Sequence, residues 1–139
     1  MYLYILVQQN KLCYDVDKQS IKLSNGGIHM PHVVFRGVTT EQLKSISKPL
    51  VEELAEICEC GTDNFTLELP NSTSIFNGEE IEVFPLIEVK WFERGQETRD
   101  RFAKAITTYL MDFGLPEVEV VFTVFTESAY YINGKHCAS

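Results

Sequence analysis

Apolar side chains recur along residues 31–139 with two different periods. Ile46, Leu50, Leu54 and Ile57 fall three or four apart, the spacing that lays one stripe on one face of an α-helix. The same spacing returns at Phe102, Ile106, Leu110 and Phe113. After each of these segments the period drops to two, at Phe65, Leu67 and Leu69 and again at Val121, Thr123 and Phe125, as in a strand with one buried face. A slide of 56 positions superposes Ile46 on Phe102, Phe65 on Val121, and Asn77-Gly78 on Asn133-Gly134. Asn-Gly between extended runs predicts a two-residue hairpin, because both turn positions need positive φ. At the front of each copy the slide becomes 54 and sets Pro31 on Pro85.

Each copy therefore reads strand, helix, strand, hairpin. The first predicts a strand over about Pro31–Val38, a helix over Thr40–Cys58 and a second strand over Asn64–Leu69, with Gly61 past the helix end. The second predicts a strand over Pro85–Phe92, a helix over Glu97–Phe113 stopped by Gly114 and Pro116, and a return strand over Val118–Phe125. Pro49 falls inside the first helix, where its missing N–H predicts a kink. Right-handed crossovers then give an α+β fold: a duplicated β-α-β unit, a four-stranded mixed sheet and two helices on one face. A ferredoxin-like domain also joins two β-α-β units, but it interleaves them, so strand order separates the two. The face without helices is expected to draw apolar surface from Val33, Phe35, Phe122 and Val124 and to be covered by self-association.

Residues 1–30 do not fit the repeat and are set apart as an N-terminal extension, leaving one domain over 31–139 with repeats at about 31–84 and 85–139. Two readings of the extension stand. Tyr2–Val7, Ile21–Leu23 and the Asn25-Gly26-Gly27 turn signal can form a genuine hairpin. Alternatively, Gly26-Gly27 can be encoded by a ribosome-binding sequence just upstream of Met30, making the segment a translated leader and Met30 the start.

Composition narrows the function. Across 139 residues, 12 Lys and Arg face 20 Asp and Glu, a net charge of -8, so the basic stripe that grips a phosphate backbone is missing and nucleic acid is disfavoured. The early apolar run is far shorter than a bilayer span and lacks a basic leader, so neither membrane insertion nor secretion is signalled, and a cytoplasmic protein is expected. Cys13, Cys58, Cys60 and Cys137 fall at no recurrent zinc spacing, which predicts free thiols and no metal site. Cys58-Glu-Cys60 with His136 and Cys137 is a poor zinc signal.

Three stretches, PHVVFRGV from Pro31, EVKWFERGQE from Glu88 and YYING from Tyr130, together resemble the DUF1904 group of uncharacterised bacterial proteins. That group is similar to the tautomerase superfamily, which includes 4-oxalocrotonate tautomerase and macrophage migration inhibitory factor. The resemblance implies a tautomerase-like fold, a homotrimer, an amino-terminal proline as catalytic base, and no cofactor.

The chemistry of such a proline follows from first principles. A chain-terminal proline is a basic secondary amine, whereas an internal proline nitrogen is an amide without a usable lone pair. Removal of Met30 from a chain begun there exposes such an amine at Pro31. Burial disfavours its ammonium form and brings its pKa toward the working pH, where a general base is most effective. Pro85 is internal and can only be structural. An enolate formed by the base needs a cationic or hydrogen-bonding partner. Arg94 leads, because Phe92-Glu93-Arg94-Gly95 is similar to the place where 4-oxalocrotonate tautomerase keeps a substrate-binding arginine. Arg36 is second; by strand alternation it points away from Pro31, about 16 Å along, and would serve a neighbouring subunit's site or none. An arginine fork suits the carboxylate of a small oxo or enol acid. Tyr130 and Tyr131 stand where the superfamily places an aromatic wall, and His32 flanks the proline. The expected function is keto-enol tautomerisation of such acids; the alternative is a catalytically inactive oligomeric binding or structural protein on the same fold.

Overall fold

A computed structural model of the chain describes residues 30–138. The expected N-terminal extension, Met30 excepted, lies outside them.

The chain enters at β1 (His32–Arg36) and turns into α1 (Thr40–Cys58). Thr39 caps this helix reciprocally: its hydroxyl accepts the Gln42 N–H at 3.1 Å, while the Gln42 side-chain oxygen accepts the Thr39 N–H at 2.9 Å. α1 runs unbroken through Pro49, whose ring is exposed, so the carbonyl left without an N–H partner on that surface is accessible to water. The helix closes at Glu59, a non-glycine residue held at φ 56°. A short turn leads to β2 (Thr66–Glu68), and β3 (Ser74–Phe76) and β4 (Glu79–Ile81) form the first hairpin. The second copy supplies β5 (Leu86–Phe92), α2 (Gln96–Met111), β6 (Glu119–Phe125) and the hairpin of β7 (Tyr131–Ile132) and β8 (Lys135–His136). Both Asn-Gly pairs take positive φ at both positions: Asn77 57° and Gly78 80°, Asn133 52° and Gly134 85°.

The main sheet has the order β2-β1-β5-β6. β1 runs parallel to β2, β5 parallel to β6, and the two pairs meet antiparallel at β1 and β5. The copies thus lie side by side, which excludes the interleaved ferredoxin-like order. Val34 faces Glu88 in the central ladder; these residues are 54 apart, like Pro31 and Pro85, so a pseudo-twofold axis passes between them.

Both helices cover one face. Leu50 and Leu54 of α1 meet Ile106 and Leu110 of α2 over Val33, Phe35, Ile87, Val89 and Trp91. Each such fully buried side chain contributes about 1.5–3 kcal/mol by leaving water. Three expectations are corrected here. Val33, Phe35 and Phe122 belong to this helix-side core and not to the opposite face. The opposite face instead alternates polar and apolar groups, with Arg36 3.7 Å from Glu88, Thr123 donating to Glu88 at 2.7 Å and His32 bonded to Glu68 at 2.7 Å. The return strands match at a slide of 53 and not 56, since Val33 pairs with Leu67 and Ile87 with Val120. α2 is 16 residues long against 19 for α1, so Phe113, laid on Ile57 by the slide, falls beyond the helix and is 36% exposed.

Cys58 and Cys60 carry free thiols. Cys137 is disulfide-bonded, which corrects the expectation for that residue; three-dimensional proximity decides pairing, and spacing along the chain does not reveal it. Among the described residues no helix is long and apolar enough to cross a membrane.

Candidate active site

The direction of each strand decides which residues meet at the two ends of the sheet. β1 begins where β5 finishes, because His32 pairs with Lys90. One step further along the same ladder sets Pro31 across from Trp91, both on the helix side. Pro31 is fully buried, and its carbonyl accepts the Thr66 N–H at 3.2 Å, tying it to the start of β2. Met30 is buried too and acylates the Pro31 nitrogen through a cis peptide bond.

Beyond Trp91 the chain leaves the sheet through Glu93, Arg94 and Gly95. Glu93 braces this loop by accepting the Gly95 N–H at 2.6 Å and by pairing with Arg99 in the first turn of α2. Gly95, at φ 92°, makes the sharp entry into the helix that an L side chain resists. The Arg94 guanidinium consequently stands 5.7 Å from the Trp91 ring centroid, a cation-π distance. Arg94 and Thr98 also line a cleft of about 370 Å³ against Ile57 and Cys58 at the end of α1. The hydrogen bond that the Cys58 thiol donates to Cys60, and then burial, push that thiol far above its ordinary range, overriding the opposing pull of Arg94 and Arg101. It stays a neutral thiol and is no nucleophile at neutral pH.

Pro31 and Arg94 therefore share one end of the sheet. Tyr130 belongs to the same end but to the other face, with its ring 5.3 Å from Phe92 and 5.4 Å from Phe125. Burial raises its phenol pKa, so the hydroxyl keeps its proton and can donate. Tyr131 sits in the outer hairpin against His136 and is 60% exposed. Arg36 pairs with Leu86 at the far end of β1 and is held at Glu88, so a single chain does not bring it to Pro31. His32 is engaged by Glu68 on the face away from Pro31. Among the described residues no three His, Cys, Asp or Glu side chains could hold a metal ion.

Sequence reasoning assigned Trp91 no chemistry. The signal was present in the slide of 54, which equates Trp91 with Gly37: once the copies pair antiparallel, each first strand's proline lies across from that position of the other copy.

Residues 30–136 match the family model described as a domain of unknown function, DUF1904. A DUF1904 protein of known crystal structure from Sebaldella termitidis is 36% identical, with 77% of this chain covering 99% of that one at a TM-score of 0.72. A macrophage migration inhibitory factor-like protein from Entamoeba histolytica is 18% identical over 78% of this chain and 99% of its own, TM-score 0.59. A fused 4-OT asymmetric trimer is 12% identical over 77% and 96%, TM-score 0.65; these last two likenesses show the shared tautomerase-like fold. No curated protein matches the sequence.

Proposed function

The chain belongs to the DUF1904 family, and on that premise we propose that it acts, in a form beginning at Pro31, as a cofactor-independent tautomerase of small oxo or enol carboxylic acids. One observation carries the reading: the family match starts at Met30, and the buried Pro31 shares its end of the tautomerase-like sheet with Arg94. The family match opens at Met30 and runs to residue 136, and the Sebaldella counterpart, matched over 99% of its length, covers 77% of this chain, which supports a unit opened by Met30-Pro31.

With Met30 removed, the Pro31 nitrogen is a secondary amine in an apolar, buried setting, which favours its neutral form. It takes the proton from the carbon next to a substrate carbonyl and returns it to the oxygen, so atoms and electrons balance without a co-reactant. Arg94 holds the carboxylate by parallel hydrogen bonds. Tyr130, protonated and at the same end, forms part of the aromatic wall. Arg36 and Tyr131 reach such a site only from a neighbouring subunit, and a homotrimer is the assembly proposed to bring them there.

A second reading, a catalytically inactive binding or structural protein, is favoured by the acylated state of Pro31 in the 139-residue chain, where the nitrogen cannot accept a proton. Intact mass of the protein made from its native gene separates the two. A mass beginning at Pro31 is expected; one beginning at Met1 overturns the proline mechanism. Ketonisation of phenylenolpyruvate by the form beginning at Pro31 is expected to fall at least about 100-fold in Pro31→Ala, and equal rates would leave the fold without the proposed chemistry.

A further inference from the structure

We propose, building on the tautomerase reading, that Trp91 is a catalytic residue whose indole N–H donates a hydrogen bond to the carbonyl oxygen of an oxo acid held at Pro31. Trp91 is 0% exposed, and among the described residues its Nε1 has no hydrogen-bond partner. A buried donor without an acceptor costs free energy, and native proteins retain few of them. Arg99 Nε shares this condition, but the other nitrogens of its guanidinium bond Gln96 and Glu93. The indole has one polar atom and no such compensation.

Position gives the orphan donor a use. Trp91 lies across the ladder from Pro31, on the helix side. Arg94 stands over its ring at 5.7 Å. A 2-oxo acid carries its carboxylate and its carbonyl on adjacent carbons, and Arg94 and Trp91 present a carboxylate anchor and a carbonyl donor side by side. Met30 is itself buried against the Pro31 nitrogen, so its removal frees space where the reacting carbon must sit.

Packing fixes the donor before any ligand arrives. The Trp91 ring meets Phe102 edge-on at 5.2 Å and Phe122 at 4.8 Å, which bars rotation of the indole. A donor held in place and shielded from water stabilises developing charge without reorganising during the reaction. The step is balanced: Pro31 takes the carbon-bound proton, charge moves onto the oxygen, the indole keeps its own proton while bonding that oxygen, and prolinium delivers the proton to give the enol.

The test uses the form beginning at Pro31, the unit whose Sebaldella counterpart crystallised as a whole chain. Replacing Trp91 by 3-benzothienylalanine exchanges the N–H for sulfur at nearly constant shape. We expect a drop of about 100-fold in kcat, KM within about twofold and an unchanged melting temperature; Trp91→Phe should lose activity to a similar degree. A benzothienyl protein with the wild-type kcat overturns the proposal. Trp91 is the sole tryptophan, so its emission reports on the same bond without turnover. Pyruvate should shift that emission to the red, and propanoate, which lacks the carbonyl, should not. If Pro31→Ala retains the wild-type rate, the base assignment fails and emission alone decides: a pyruvate-specific shift upholds the donor, and identical spectra with both acids overturn it.

Discussion

Gly37 shows how tightly single positions are specified. It holds φ +80°, and a Cβ built there would lie 2.9 Å from the Cα of Pro85 and 3.1 Å from the Phe84 carbonyl oxygen. Gly78 has the same φ of +80° with nothing within 4 Å among the described residues. Both pay the left-handed penalty on substitution, but only Gly37 adds a clash with backbone. Gly37→Ala should therefore destabilise the fold by about 3 kcal/mol and Gly78→Ala by about 1 kcal/mol, read from urea unfolding curves. At this scale the sequence announced residues whose chemistry is intrinsic: a proline after methionine, an arginine past a strand, Asn-Gly at a turn. The role proposed for Trp91 was less legible, because it rests on what lies across a ladder, and local spacing carries no record of cross-strand partners.

At the scale of elements, α1 and α2 begin differently. Thr39 closes a reciprocal box with Gln42, whereas the Gly95 cap of α2 makes no side-chain bond and that turn is braced by Glu93 from outside the helix. Thr39→Ala should cost about 1 kcal/mol, measured by chemical denaturation. Helical periodicity located α1 at Thr40–Cys58 as expected from Ile46, Leu50, Leu54 and Ile57. The return strand was harder to align. A period of two looks alike at Val121, Thr123 and Phe125 and at Val118, Val120 and Phe122, and an odd slip exchanges the two faces. The three residues by which α2 is shorter supply that slip, and only packing against Trp91 and Phe102 reveals that Phe122 faces inward.

For the whole molecule, the repeat left two strand orders open, side by side or interleaved, and the observed β2-β1-β5-β6 is the side-by-side one. Assembly is the next test. Among the described residues the β3–β4 hairpin pairs only with itself, and it exposes Ile75 at 62% and Phe76 at 67%. In the proposed trimer these side chains reach a neighbour, so Phe76→Asp should give a monomer by light scattering with an unchanged far-UV circular dichroism spectrum. The pseudo-twofold between Val34 and Glu88 carries a consequence for the chain's economy of ends. It makes the Pro31 and Pro85 ends of the sheet copies of one another, with Glu119 N–H bonded to the Pro85 carbonyl at 3.0 Å as Thr66 N–H is to that of Pro31. Hydrolysis of the Phe84-Pro85 bond would liberate a second prolyl amine, related to the first by a half-turn. In the proposed form beginning at Pro31, covalent continuity silences that twin: Gly37 closes over Pro85 where Trp91 stands beside Pro31, and an architecture symmetric in backbone becomes polar in reactivity.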